Sequence, residues 1–259
     1  KPFADLMQND GYLIIPNKKT FAADVLTGYD ILVIANALGL RGTIQQLLNI
    51  AHLEGKIDLT RSAFSQSECD AVQEWVKRGG SLLLISDHAP AGAAAGQLSS
   101  RFGVGMTNWY AEDQEPNHDP VTKSWAFLMF SRQNGLLLDH PITRGRREPE
   151  QINRVITFTG QSLKPPPGSI SFLKLSPTAR EYPTRRSPDN AFRPAGNLAQ
   201  GVALEYFKGR VVVLGEAAVL TSQIARTPVR TFHFGMGWPD CDDRQLALNI
   251  MHWLSRLLN

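Results

Sequence analysis

The chain has 259 residues, of which 42% are hydrophobic and 20% are charged, a composition typical of a globular protein with one large domain or two small ones. The formal charge of +3 is small, and arginines lie in scattered turns such as "TRGRREPE", so nucleic-acid binding has little support. No stretch approaches the roughly 18 apolar residues of a membrane span, and the first residues lack a signal-peptide core. We expect a soluble protein, either cytoplasmic or a processed secreted form.

The first elements in chain order predict an unusual start. A helical pattern, "PFADLMQND", precedes the strand-like run "GYLIIP" at 11–16, and "YDILVIANAL" at 29–38 predicts a buried strand. A doubly wound unit normally opens with a central strand. The sequence therefore predicts either that a first strand lies ahead of residue 1, in a removed N-terminal segment that associates with the domain, or that the fold begins unusually.

Three clearer elements follow. Ser65 and Glu68 make a capping box, which predicts a helix that ends at Gly79 and Gly80. The apolar run "SLLLIS" at 81–86 predicts a strand covered on both faces, and a helix near 93–102 comes next. "GRVVVLG" predicts another buried strand, followed by a turn and the predicted helix "AAVLTSQ", and 242–258 predicts an amphipathic C-terminal helix.

Strands that alternate with helices predict an α/β fold, with a doubly wound, mostly parallel sheet flanked by helices in a single domain over 1–259. Between about 104 and 208 the pattern changes to short alternating runs separated by proline and glycine clusters. We interpret this region as a β-rich insertion or an extension of the sheet.

Polar residues follow three of the predicted strands, namely Asn36, the Asp87-His88 pair and Glu216. In open α/β sheets, ligands bind beyond the carboxyl ends of the strands. An adjacent aspartate and histidine can ligate a metal, or can act as a general base with its orienting carboxylate. The alternatives are structural: Asp87 caps the next helix while His88 bonds to backbone, and Glu216 caps the helix that follows it.

Further candidates lie outside these strand ends. His118 and His140 each neighbour an aspartate and would complete a metal site, although a solvated loop and a turn are the alternatives. Gln223 and His233, with Asn36, are candidate substrate-binding residues; a structural amide and a surface turn are the alternatives for the first two. No GxSxG, Walker or HExxH motif occurs, and we expect no nucleotide cofactor.

The segments "SDHAPAG" and "GEAAVLTSQ", together with the glycine-glycine strand unit, resemble a family of uncharacterised bacterial proteins. The domain of that family is placed in the class I glutamine amidotransferase-like superfamily, and the glycine-glycine unit is shared with trehalose-utilisation-like proteins. The resemblance spans nearly the whole chain and implies a flavodoxin-like sandwich, with a strand and a histidine-containing segment ahead of the region that begins "KPFADLM". It implies no established reaction, and the nucleophilic cysteine of amidotransferases has no counterpart after "LLLIS".

Two hypotheses of function follow. The first is a hydrolase of a small polar substrate with an amide or ester bond, in which Asp87, His88 and Glu216 are catalytic. A divalent metal, with zinc favoured by imidazole and carboxylate ligands, would be bound by Asp87, His88, His118 and His140. In a metal-free variant His88 is the general base. The rival is a non-catalytic sugar- or peptide-binding sensor that uses the same crevice, and a purely structural domain is a third possibility.

Overall fold

The computed structural model describes residues 2–39, 61–114, 118, 123–184, 191–226 and 231–259. Within these ranges the α-helices are α1 (Pro2–Asn9), α2 (Ala23–Leu26), α3 (Gln66–Lys77), α4 (Ala91–Ser100), α5 (Pro141–Arg144) and α6 (Asp243–Leu254). Short 3₁₀ helices span Glu148–Glu150 and Ala218–Leu220.

The strands are short and lie in several sheets. In chain order the described strands are β1 (Ile31–Ala35), β2 (Ser81–Ile85), β3 (Gly105–Met106), β4 (Tyr110–Glu112), β5 (Phe127–Ser131), β6 (Arg154–Phe158), β7 (Leu163–Lys164), β8 (Ile170–Lys174), β9 (Arg180–Tyr182), β10 (Arg193–Pro194), β11 (Ala199–Tyr206), β12 (Gly209–Leu214), β13 (Ser222–Arg226) and β14 (Thr231–Gly235). Strands β3 to β11 fall within the region 104–208.

The central sheet is mixed. Strands β1, β2 and β12 are adjacent and parallel, and Leu83 of β2 lies beside Val33 on one side and Val212 on the other. Beyond β12 the sheet continues antiparallel through β11, which pairs with β8 and β7, and β3 pairs with β7. The structure shows a mixed α/β fold with a large sheet and flanking helices, in which the antiparallel strands come from the chain between β2 and β12.

Two hydrophobic clusters cover the two faces of this sheet. Alternate residues of β2 point to opposite faces, so Leu83 and Ile85 join one cluster while Leu82 and Leu84 join the other. Helices α1, α5 and α6 contribute to the first cluster, and α2, α3 and α4 contribute to the second. The parallel part of the sheet therefore has helices on both faces, which explains why β2 and β12 are buried along their whole length.

The capping box at the start of α3 is confirmed. The hydroxyl of Ser65 accepts the backbone N–H of Glu68 at 3.3 Å, and the Glu68 carboxylate accepts the N–H of Ser65 at 2.9 Å. The amphipathic C-terminal helix is also confirmed, since Leu246, Ile250 and Trp253 are buried. The helix ends at Leu254, so Leu257, expected on the same stripe, lies beyond it and is exposed.

Two expectations about secondary structure are wrong. The run at 11–16 forms no strand, because it has no pairing partner among the described residues. The segment "AAVLTSQ" is not an α-helix: it makes the single 3₁₀ turn Ala218–Leu220 and then enters β13, which pairs with β14 as an antiparallel hairpin. The turn closes early because the Thr221 hydroxyl donates to the carbonyl of Ala218 at 2.8 Å.

Candidate functional site

The carboxyl ends of β1, β2 and β12 lie at one edge of the sheet, because the three strands are parallel and in register. The residues that follow them are Asn36, the Ser86-Asp87-His88 segment and Glu216. The side-chain oxygen of Asn36 accepts the backbone N–H of Asp87 at 2.8 Å. We call these residues, with Tyr110, the strand-end site. Two cavities of the described structure, of about 590 and 860 Å³, are lined by other residues.

The imidazole of His88 is held in a defined orientation. Its Nδ1 lies 2.9 Å from the carbonyl oxygen of Ala89, and its ring stacks on Tyr110 with centroids 4.2 Å apart. The hydroxyl of Tyr110 donates to the same carbonyl at 3.2 Å. A carbonyl accepts only from a protonated ring nitrogen, so Nδ1 carries the hydrogen and Nε2 is the basic nitrogen of the neutral ring. That Nε2 lies 3.8 Å from the carboxylate of Asp87, and both side chains are about one quarter exposed.

Glu216 is a buried carboxyl beside the Asp87 carboxylate. Burial raises the pKa of Glu216 well above its usual value, and the negative charge of Asp87 raises it further. Two hydrogen bonds oppose this shift, because the Glu216 oxygens accept the backbone N–H groups of Ala218 at 2.6 Å and Val219 at 2.8 Å. Glu216 therefore caps the 3₁₀ turn, as the structural alternative expected, and also interacts electrostatically with Asp87.

A glutamine that the sequence did not single out supports this site. Gln161 is fully buried, and its amide nitrogen donates to the carbonyls of Ser86 and Asp87, each at 2.9 Å. Its side-chain oxygen accepts the N–H of Asn108 at 2.9 Å, and the Asn108 side chain accepts the N–H of Ala93 at the start of α4. Asn108 and Tyr110 are two further residues of this region that the sequence pattern did not identify. The signal for Gln161 was a polar residue after the turn "TG" that ends an apolar strand.

His140 is not brought to the strand-end site. It caps α5 through Nδ1, which accepts the N–H of Ile142 at 3.1 Å, and its ring packs against Trp253 at 4.9 Å. The carbonyl of Trp253 accepts from Arg210, at the amino end of β12, which places His140 toward the opposite edge of the sheet. Burial lowers the pKa of His140 to about 4.

The remaining predicted residues have other surroundings. His118 is buried, makes a β-bridge to Leu128, and interacts electrostatically with Asp113. His233 and Gln223 lie on the exposed hairpin of β13 and β14, where the Gln223 amide donates to the Thr221 hydroxyl at 2.8 Å. Asn36 binds the protein backbone, as described above.

The described residues around Asp87 and His88 do not make a complete zinc site. In the part of the chain that the structure describes, no three histidine, cysteine, aspartate or glutamate side chains come close enough together to hold a metal ion. Asp87 and His88 alone would supply two ligands, whereas zinc sites use three or four protein ligands. The chemistry of this site is therefore derived below from its own side chains.

Comparisons with known proteins define the class of fold. The chain matches no protein-family model and no curated protein. Among solved structures it is similar to the mmIFT52 N-terminal domain, with a TM-score of 0.60, 11% identity, and 97% of this chain and 88% of that chain covered. It is also similar to a ThuA-like protein from Bacteroides uniformis (TM-score 0.50, 12% identity, 98% and 81% covered) and to the cytoplasmic protein STM1381 from Salmonella typhimurium LT2 (0.50, 14%, 98% and 86%).

These similarities show that this chain shares its fold with the mmIFT52 N-terminal domain and with the ThuA-like protein. At such low identity they describe shape and carry no information about the reaction. None of the helices in the described ranges is long and apolar enough to cross a membrane.

Proposed function

We propose that this protein is a hydrolase of a small polar substrate with an amide or ester bond, in which the side chains of the strand-end site of a doubly wound sheet carry out the proton transfer. The observation that supports the proposal is the meeting of Asp87 and Glu216, from the ends of β2 and β12, as an interacting carboxyl pair beside the imidazole of His88. Perturbed carboxyl groups at the carboxyl edge of parallel strands are typical of functional sites.

In the proposed mechanism His88 is the general base. Its Nε2 takes a proton from a water molecule while the water oxygen forms a bond to the carbonyl carbon of the substrate. The Asp87 carboxylate, 3.8 Å away, stabilises the imidazolium that forms. The tetrahedral intermediate then collapses, the bond to the leaving nitrogen or oxygen breaks, and the imidazolium returns the proton to that atom.

Glu216 acts through Asp87. Burial and the neighbouring negative charge of Asp87 both raise the pKa of the Glu216 carboxyl, which favours its protonated form relative to an ordinary glutamate. Two ionised carboxylates would repel each other at this site. In this proposal Glu216 is a positioning residue that keeps the Asp87 carboxylate directed toward His88.

Hydrolysis assays on purified variants test the proposal. The substrates are p-nitrophenyl acetate and a panel of amino-acid p-nitroanilides, with the chelator EDTA present throughout. We expect His88→Ala to lower turnover by about 10²- to 10⁴-fold, and Asp87→Asn to lower it less. Asp139→Asn, an exposed aspartate beside His140, is the matched control for Asp87→Asn and should leave turnover unchanged. Wild-type turnover that persists in His88→Ala would contradict the proposal.

The stacked rings of His88 and Tyr110 favour a second candidate function, a non-catalytic binding module. An aromatic ring with a fixed hydroxyl and a neighbouring carboxylate can contact both the apolar face and the hydroxyl groups of a sugar. In this case a sugar or peptide would raise the melting temperature of the protein while no substrate of the panel is hydrolysed. That result would replace the hydrolase proposal with this one.

A further inference from the structure

A cavity of about 590 Å³ lies at the start of β6, away from the strand-end site. It is lined by residues 131–133 at the end of β5, by residues 153–154, and by residues 240–242 ahead of α6. We call it the β6 cavity. Gln161, which binds Asp87, follows the other end of β6, and the five residues of this strand span about 13 Å. The β6 cavity is therefore a separate place on the molecule.

The lining of the β6 cavity is polar and carries charges of both signs. The described residues that line it include two arginines, Arg132 and Arg154, and two aspartates, Asp240 and Asp242, but no leucine, isoleucine, valine or aromatic residue. Most small-molecule sites are instead lined by apolar side chains with a few polar groups among them. A lining of this kind fits a ligand that is itself charged.

One charge of each sign is held in place by the backbone. Arg132 donates from Nε to the carbonyl of Ile152 at 2.9 Å and from Nη2 to the carbonyl of Thr143 at 2.7 Å. Oδ2 of Asp242 accepts the backbone N–H groups of residues 153–154, at 2.7 and 3.0 Å. Because these bonds fix the two opposite charges before a ligand binds, they lower the entropy cost of binding.

The charges of the β6 cavity do not neutralise one another. In the described ranges, no ion pair within 4.0 Å joins either arginine of the lining to either aspartate. Arg154 and Asp240 are exposed, and their side chains make no hydrogen bond to a described residue. Opposite charges that share a cavity without pairing can each bind one end of a dipolar ligand.

Cys241 also lines the cavity and does not add a charge to it. Its thiol donates to the carbonyl of Trp238 at 3.5 Å, and burial raises the pKa of this thiol above its usual value. A thiol that keeps its proton is a poor nucleophile and a poor metal ligand. The β6 cavity is therefore suited to binding and not to covalent chemistry at Cys241.

We propose that the β6 cavity binds a free α-amino acid. The carboxylate of the ligand binds the two arginines and its ammonium group binds the two aspartates, so the lining matches the charges of a zwitterion. The uncharged polar side chains of the lining, Ser131, Gln133 and Asn153, are hydroxyl and amide groups that form hydrogen bonds. The amino acid should therefore have a small or polar side chain, as serine and glutamine do.

NMR titrations of the ¹⁵N-labelled protein test the proposal, with L-glutamine and L-serine as probes at about 0.15 M salt. We expect saturable shifts of the backbone amides of residues 153–154 and 241, while the amide of Leu83 in β2 stays unchanged. L-Glutaminamide lacks the carboxylate and N-acetyl-L-glutamine lacks the ammonium group. Each of these derivatives should bind at least about tenfold more weakly than L-glutamine, because one charge-assisted contact is lost.

Two variants at exposed positions assign the two ends of the ligand. Arg154→Met should weaken the binding of L-glutamine at least about tenfold and leave the affinity for L-glutaminamide unchanged. Asp240→Asn should weaken the binding of L-glutamine and leave the affinity for N-acetyl-L-glutamine unchanged. Arg78→Met removes an exposed charge at the end of α3, and as the matched control it should change none of these affinities.

Two results would overturn the proposal. The first is the absence of a saturable shift at residues 153–154 with either L-glutamine or L-serine up to about 20 mM. The second is equal binding of L-glutamine and its two derivatives, which would show that the charges of the lining do not recognise a zwitterion. The titration does not depend on turnover, so its result is independent of the proposed hydrolysis at the strand-end site.

Discussion

The side-chain oxygen of Asn36 accepts the backbone N–H of Asp87 at 2.8 Å, and this bond joins the ends of two neighbouring parallel strands. Asn36 has a φ of 47°, in the left-handed region that asparagine tolerates better than most residues. Its side chain and its backbone conformation thus both contribute to the turn that presents Asp87 and His88.

Substitutions at Asn36 separate these two contributions. Asn36→Gly keeps the backbone conformation and loses the acceptor, which should lower the free energy of unfolding by about 1 kcal/mol. Asn36→Ala loses both, and should cost about a further 1 kcal/mol. Urea denaturation of the three proteins measures the difference. An alanine variant as stable as the glycine variant would show that the backbone conformation carries no cost.

The ionisation of Glu216 is a second prediction. We expect its carboxyl to titrate at a higher pH than an ordinary glutamate, as followed by ¹³C NMR titration of labelled glutamate. Asp87→Asn should lower the pKa of Glu216 without restoring its usual value, because burial is the larger cause of the shift. Asp139→Asn, at an exposed position, should leave it unchanged. A Glu216 that titrates as an ordinary glutamate would refute the interaction.

The raised pKa of Glu216 also predicts how the free energy of unfolding changes with pH. The protonated form is favoured in the folded state, so this contribution to stability is complete below the pKa of the unfolded chain and decreases as the pH rises through the folded value. Asp87→Asn lowers the pKa of folded Glu216, so the decrease measured by urea denaturation should end at a lower pH in this variant.

Gln161 should be important for stability although it lies outside the proposed chemistry. Gln161→Met keeps a similar volume but leaves the carbonyls of Ser86 and Asp87 and the N–H of Asn108 without their partner. Buried unsatisfied groups cost about 1–3 kcal/mol each, and we expect a loss of about 2–4 kcal/mol in urea denaturation. Gln223→Met on the exposed hairpin is the control, with an expected change within about 0.5 kcal/mol. If Gln161→Met lowers the free energy of unfolding only slightly, the carbonyls of Ser86 and Asp87 and the N–H of Asn108 do not depend on the Gln161 amide for their hydrogen bonds.

The lowered pKa of His140 predicts that the protein loses stability in acid. Burial lowers its pKa from 6.5 to about 4, so the unfolded chain binds a proton in this range that the folded protein does not. Its contribution is complete above pH 6.5 and is lost as the pH falls toward 4, in total about 3 kcal/mol. His140→Asn keeps a helix-capping side chain and should flatten the dependence of unfolding free energy on pH between 4 and 6.5. His233→Asn should leave it unchanged.

Local signals in the sequence were sufficient for α3, β2 and α6. The Ser65 and Glu68 capping box and the apolar run "SLLLIS" depend on neighbours within a few residues, so their structures follow from short-range hydrogen bonding and from the spacing of apolar side chains. The placement of Asn36, Asp87 and Glu216 at strand ends was likewise predictable, since parallel strands place their carboxyl ends at one edge.

Tertiary structure decided the features that depend on contacts distant in the chain. Gln161 meets Ser86 across 75 positions, so no local pattern could show which backbone its amide would satisfy. "AAVLTSQ" has helical composition but continues into a hairpin, because the Thr221 hydroxyl closes its turn on the Ala218 carbonyl and β14 pairs with the residues after it. Sequence periodicity reports which face of an element is apolar, whereas the partner that covers that face is selected by packing of the whole chain.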